Sequence, residues 1–412
     1  MKEGSLSEEL SMRQTLATFP AHVSCLLFFT LLTRVSYFMA WPFLSIVLTR
    51  TWHLSPLQIG SMMSGCAVVS VVFGIYGGAL SDRLGRKKLL VLGCLLAIAG
   101  YTSIALANNI VLFAVGLLLT GISFSWIDAP SRALMSDLLV DRRRRELALQ
   151  MRYFAVNLAA VSGPLIGIIF GLNSQKSTFL ITALSYLPFL IFVLLAIPHT
   201  KGDSANREQG ESIWRVARLI GRDRIYLIAL LCSILCYLVY AQIESTLPQY
   251  LLALDSTRAV ELVTTILVTN AVTVLLAQIW LVKLMGAMSL IQRIVTGAFI
   301  FTLSQLLFWV NDSTSSLWWG FVTVIFSIAE AILLPNLSVL LDRLAPEKHR
   351  GAYLGASTLV ILGLSLGPFV GGALLEWYGK AVFCVMALGC LAIAALLLIN
   401  RSATNARLES HQ

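Results

Sequence analysis

The chain has 412 residues, of which 58% are hydrophobic and 12% charged, with mean hydropathy +0.82 and a formal net charge of +9. A soluble domain carries roughly 25% charged residues, so this chain cannot cover itself against water, and its natural solvent is lipid. The positive balance does not point to nucleic acid, because the basic residues sit in short loops between apolar runs and form no continuous stripe.

Glu3, Glu8 and Glu9 lie before the first apolar run, and Pro20 precedes a run too long for a signal-peptide h-region. The first span is therefore expected to be an uncleaved anchor. A membrane span needs roughly 20 apolar residues. Segments that qualify run near 22–49, 56–80, 88–107, 111–138, 149–171, 178–198, 225–251, 260–282, 290–310, 317–341, 353–375 and 381–400, which makes twelve. The expected fold is all-α and integral to the membrane. It has a tail over 1–21, a six-helix bundle over 22–198, a linker over 199–224, a second bundle over 225–400 and a tail over 401–412.

An even number of spans puts both termini on one side. Of the 30 basic residues, Arg50, Lys176, Arg258 and Lys380 fall in one set of loops, Arg34 and Arg132 within spans, and the other 24 on the opposite side. That bias places both termini in the cytoplasm of a cell whose inner membrane holds the chain. The linker is polar and basic, and residues 213–220 have amphipathic spacing, which suits either a membrane-surface helix or a flexible connection. Seven cysteines lie inside apolar segments without metal-ligand spacing and read as buried structural thiols.

The two halves repeat. Pro130 is followed by Asp137, Arg145 and then Gly163-Pro164; Pro335 is followed at matching spacing by Asp342, Arg350 and Gly367-Pro368. Pro42 in span one and Pro248 in span seven take equivalent places.

The strongest local signal is GALSDRLGRKKLL over residues 78–90, between spans two and three. Gly78 lets a neighbouring helix approach, Asp82 can meet a helix N-terminal dipole, and Gly85 permits a tight turn. Arg86 can reach an acid at the end of span four, for which Asp137 is the candidate. Here the chain resembles the major facilitator superfamily, whose loop motif G-x-L-a-D-r-x-G-r-k-x-x-l is met at every defined position, Arg83 included. The resemblance implies twelve helices in two pseudo-symmetric bundles, a substrate site between them near the midplane, and a gate made by this loop. The corresponding loop in the second half has lost its acid, so such a latch would be one-sided.

Span eleven carries GLSLGPFVGG, in which Gly363, Gly367, Gly371 and Gly372 place small residues along a helix kinked at Pro368. Span five keeps Gly163, Pro164 and Gly167 and loses the outer two glycines. In the superfamily this pattern is associated with drug:proton antiporters, normally in span five. The whole chain resembles the multidrug-exporter branch. It departs from it in span four, where Leu118 stands in the place of an arginine proposed for proton transfer.

Charged groups within spans are functional candidates by default. Arg34 in span one, Asp128 and Arg132 in span four, Glu244 in span seven and Glu330 in span ten qualify. Asp128 and Arg132 share a helix face, and Asp128 could instead meet Arg34. An acid whose partner can be removed changes its proton affinity, so Asp128 is the expected proton-responsive group; a permanent structural ion pair is the alternative. All five histidines lie at span ends or beyond, so none suits a proton shuttle. Tyr37, Trp126 and Tyr240, with polar Asn157 and Asn270, are candidates for lining the cavity.

The expected function is secondary transport by alternating access: proton-coupled efflux of lipophilic or cationic small molecules. The alternative is a transporter of a metabolite or organic anion, with Arg34 and Arg132 as the binding groups. The expected partners are a small-molecule substrate, protons and membrane lipid, with no nucleic acid, no ATP and no cofactor, and the chain is expected to be a monomer. An enzyme is disfavoured, because the sequence shows no nucleophile–base pair, metal-ligand cluster or phosphate-binding loop.

Overall fold

The computed structural model describes residues 19–139, 141–170, 175–197, 220–346 and 350–410, apart from the side chains of 75–83, 142–143, 146, 278–279, 282–283, 350–352, 354 and 409–410. Most of the linker, including its amphipathic stretch, lies outside these residues. Among the described residues there is no strand.

Among the described residues twelve helices are long and apolar enough to cross a membrane. They are α1 (Ala21–Trp52), α2 (Pro56–Leu84), α3 (Arg86–Leu106), α4 (Ile110–Asp137), α5 (Arg142–Ile169), α6 (Lys176–Ala196), α7 (Arg224–Leu254), α8 (Ala259–Leu284), α9 (Leu290–Val310), α10 (Ser316–Leu344), α11 (Gly355–Tyr378) and α12 (Ala381–Ile399). A polar helix, α13 (Arg401–Ser410), follows. The repeat therefore pairs α4 with α10 and α5 with α11. Side chains such as Leu195, Leu284, Leu317 and Ile399 stand exposed, as they would toward acyl chains.

Local chemistry sets the ends of these helices. The Asn109 side chain accepts from the Leu112 N–H at 2.8 Å to start α4, and Ser289 with Gln292 makes a capping box at α9. Gly85, with φ of 87°, makes the sharp turn from α2 into α3 that a side chain would oppose. α1 is interrupted by a 3-10 turn at Trp41–Phe43 that contains Pro42. α7 is interrupted at Ala241–Ile243, ahead of Pro248, which cannot donate to the Glu244 carbonyl.

Contacts divide the chain into two compact units. The first comprises 1–40, 69–163 and 175–205, and the second 41–68, 164–174 and 206–412. In the first unit α3 packs between α4 and α6, and α1 lies on α6. Gly93, Gly100 and Gly116 bring α3 and α4 together so closely that a Cβ at any of them would strike the facing helix. In the second unit an aromatic core of Phe301, Phe308, Trp319, Phe326 and Phe383 joins α9, α10 and α12. The Leu44–Trp52 part of α1 belongs to this unit and packs on Thr246–Leu254 of α7.

The two glycine-proline helices do different work. On α5, a Cβ at Gly163 would meet the Val35 carbonyl and Phe38 of α1. On α11, Gly363, Gly367 and Gly371 form one face laid against Ile234, Ala241, Gln242 and Thr246 of α7. Gly372 and Pro368 form a second face, against Pro56 and Gly60 at the start of α2. Ser64 Oγ on α2 accepts from the Phe369 N–H at 2.8 Å, beside the proline that breaks the regular ladder. The intact motif thus packs against two helices and the reduced copy's Gly163 against one.

At the other end of the second unit α13 is clasped to the bundle. Arg407 donates to both oxygens of Asp223, at 2.6 and 2.8 Å, and to the Leu344 carbonyl at 2.6 Å. Asp223 also caps α7 through the Tyr226 N–H, and Tyr353 donates to it at 2.8 Å. Burial pushes the Asp223 carboxyl up, but the bonds from Arg407, Tyr226 and Tyr353 outweigh it and hold the group below the ordinary carboxylate value.

Two outcomes are expected. Gly363→Ala forces a methyl into the α7 backbone and lowers the melting temperature of the purified protein, corresponding to about 1–3 kcal/mol. Gly65→Ala, where the space is open, changes stability by less than about 1 kcal/mol. Because the Asp223 carboxyl is held low, its contribution is present at neutral pH and is lost as pH falls through the depressed value. Arg407→Gln should therefore melt earlier than the native chain at pH 7, and the gap should close on acidification below about pH 4.

Candidate functional site: the charged centre of the first unit and the buried acids of the second

Four charged side chains meet inside the first unit. Asp128 sits on α4, two residues before Pro130, where the helix ladder is already broken and side chains can converge. Arg132 is one turn further on and bonds Asp128 Oδ2 at 2.9 Å. Arg34 of α1 donates to Oδ1 at 2.7 Å, and Arg152 of α5 bonds the same oxygen. Arg34, Asp128 and Arg152 are largely enclosed, with side-chain exposures of 14%, 15% and 12%, whereas Arg132 is half exposed at 53%. The Arg34 guanidinium also lies over the Phe124 ring at 4.2 Å and near Tyr37 at 5.9 Å, so its charge rests on aromatic faces.

Arg152 is the member that sequence reasoning missed. The count of basic residues assigned it to the cytoplasmic side, yet it lies within the span drawn from residue 149, and the apolar window of α5 starts at Leu147. An arginine inside an apolar window is the signal that could have found it.

Within its spans the second unit holds two acids without a cation partner among the described residues. Glu330 on α10 is buried and accepts from Asn270 Nδ2 of α8 at 2.6 Å. The same nitrogen reaches Ser327 Oγ at 3.0 Å. No ion pair to Glu330 or Glu244 occurs among the described residues. Glu244 lies at the break in α7, partly buried. Amide and hydroxyl partners can hold a carboxyl whether or not it carries a proton, which a guanidinium clamp does not allow as freely.

The remaining expected residues are placed as follows. Arg86 at the start of α3 bonds Asp137 Oδ2 at the end of α4, at 2.6 Å. Gly78, Asp82 and Arg83 fall among the residues whose side chains are not described. Tyr37 joins the Arg34 cluster and Asn270 joins Glu330. Trp126 instead donates its indole N–H to the Phe73 carbonyl at 3.1 Å, and Asn157 donates to the Tyr153 carbonyl of its own helix at 2.9 Å. Tyr240 stacks on Phe326 at 6.4 Å. Of the cysteines, Cys94, Cys232, Cys236 and Cys390 are buried, and Cys25, Cys66 and Cys384 are partly buried.

Residues 26–362 match the family model of the Major Facilitator Superfamily. The chain is 29% identical over 358 residues to the uncharacterized MFS-type transporter YqjV of Bacillus subtilis, covering 85% of each. It is 28% identical over 368 residues to the multidrug resistance protein MdtH of Yersinia pestis, covering 87% of each. Its fold is similar to that of the nucleoside transporter NupG, with a TM-score of 0.78, 14% identity, and 92% and 99% of the two chains covered. Neither the fold nor the relatives are those of enzymes. The chain belongs to the major facilitator superfamily and is a multi-pass membrane transporter.

Proposed function

We propose that this chain is a proton-coupled secondary transporter that exports lipophilic small molecules across the cytoplasmic membrane by alternating access. Both termini face the cytoplasm, as the loop charges favour, and the working unit is a monomer of two six-helix halves, 22–198 and 225–400. The observation that carries the reading is Glu330. It is a carboxyl buried in an apolar helix bundle, held by an amide and with no cation paired to it among the described residues. Such a group is expensive to keep charged in lipid surroundings and suits the exchange of a proton. Asp128, the acid the sequence favoured, already serves as counter-ion to three guanidiniums, so the coupling role moves to Glu330, with Glu244 beside it as the second acid.

Export is supported by the likeness to MdtH and by the intact glycine-proline helix α11. The loop over 78–90 supplies the gate, and the Arg86–Asp137 bond is its described part. That bond fixes the start of α3 to the end of α4, so a conformational change that moves either end must break it.

Two measurements test this. In everted vesicles, Glu330→Gln should abolish proton release on addition of a transported dye and cut gradient-driven transport by about tenfold or more. Exchange of substrate down its own gradient should persist; retained proton release in that variant would remove Glu330 from the coupling. Asp137→Asn should insert normally and transport at less than about a tenth of the native rate, and full turnover would count against the gate.

A further inference from the structure

The charges around Asp128 do not balance. Three guanidiniums, from α1, α4 and α5, bond one carboxylate, and no other described acid bonds any of them. Among the described residues the cluster therefore carries two positive charges in excess, inside an apolar bundle. Three arginines present fifteen N–H donors to one carboxylate with about four acceptor positions. One surplus donor can be named: the Nε of Arg152 is buried and has no hydrogen-bond partner. Uncompensated buried charge and an orphaned buried donor both mark a place where an anion belongs.

The surroundings narrow the anion's chemistry. The guanidinium fork matches a planar carboxylate through two parallel bonds. Arg132 is half exposed, so the cluster is open on that side. Phe124 is 43% exposed and lies 4.2 Å from the Arg34 guanidinium, with Tyr37 beside it, so an aromatic surface adjoins the donors.

We infer that Arg34, Arg132 and Arg152 bind the anionic head group of an aromatic amphipathic substrate, a carboxylate, which shares the arginines with Asp128, the resident counter-ion. The assignment rests on the transport reading above and names its substrate class. It takes up the organic-anion alternative expected from the sequence, with Arg34 and Arg132 as binding groups, over the cationic preference, and adds Arg152. Binding needs no new charge to be buried uncompensated, because the incoming carboxylate offsets part of the cluster's surplus positive charge. Phe124 and Tyr37 take the substrate's ring.

The test uses the full-length protein in detergent and two xanthene dyes of the same ring system and opposite charge, fluorescein and rhodamine 6G, with binding followed by fluorescence anisotropy. Fluorescein should bind about tenfold or more tightly than rhodamine 6G. Arg132→Gln and Arg152→Gln should each weaken fluorescein by about tenfold, as loss of a charged hydrogen bond implies, and Arg132→Lys by less. Asp128→Asn should bind fluorescein as well as the native protein or better, because a competing carboxylate is gone; melting curves show whether each variant is folded. Equal or tighter binding of rhodamine 6G overturns the assignment. So does a folded Asp128→Asn variant that loses fluorescein as the arginine variants do, since Asp128 would then be part of the site. Arginine-dependent fluorescein binding with no response of dye transport to an imposed pH gradient supports the anion site and removes the proton-coupling reading alone.

Discussion

The first unit depends on one carboxylate. Asp128 is the meeting point of arginines from α1, α4 and α5, and without it three positive charges would face one another in a medium that cannot screen them. The same four groups tie together α1, α4 and α5, of which α5 also meets α1 through Gly163. Among the described residues this polar centre ties three helices together and is only partly neutralised.

The second unit is built on the opposite principle. Its interior is an aromatic core, and Glu330, the buried acid within its spans, is held by the Asn270 amide and not by an arginine. The repeat in sequence is therefore a repeat of backbone and of helix-packing residues, with the chemistry shared out unequally: surplus cations in one unit, unneutralised carboxyls in the other. On the proposed reading this division separates the acid assigned to proton coupling from the arginines assigned to the substrate.

Close packing in lipid is achieved by small residues, because apolar side chains gain little by leaving lipid for one another. α11 shows this most fully. Its three glycines one turn apart seat it on α7, and Pro368 with Gly372 seats its other face on the start of α2. The proline leaves the Phe369 N–H to Ser64, so a helix break is converted into a contact between helices. At the opposite end the Arg407–Asp223 clasp fixes α13 to the start of α7 and to Tyr353, just ahead of α11, through a carboxylate with four donors, and Arg407 reaches α10 at the Leu344 carbonyl.

What the sequence alone determined was whatever is written locally. Helix number follows from apolar runs of fixed length, and the turn at Gly85 and the paired prolines follow from backbone restrictions at single residues. The superfamily was legible because its loop motif is contiguous. The charged centre was legible only in part: Arg34, Asp128 and Arg132 stood out as charges inside spans. Arg152 was lost because it was counted with the cytoplasmic residues although the span drawn from residue 149 includes it. Which of these charges meet is a different kind of fact. Arg34 and Asp128 are 94 residues apart, Asp128 and Arg152 are 24 apart, and Asn270 finds Glu330 across 60. Such pairings depend on helix packing and rotation, which glycine contacts on several helices set together. Only the tertiary structure decided that three arginines share one acid while Glu330 has none.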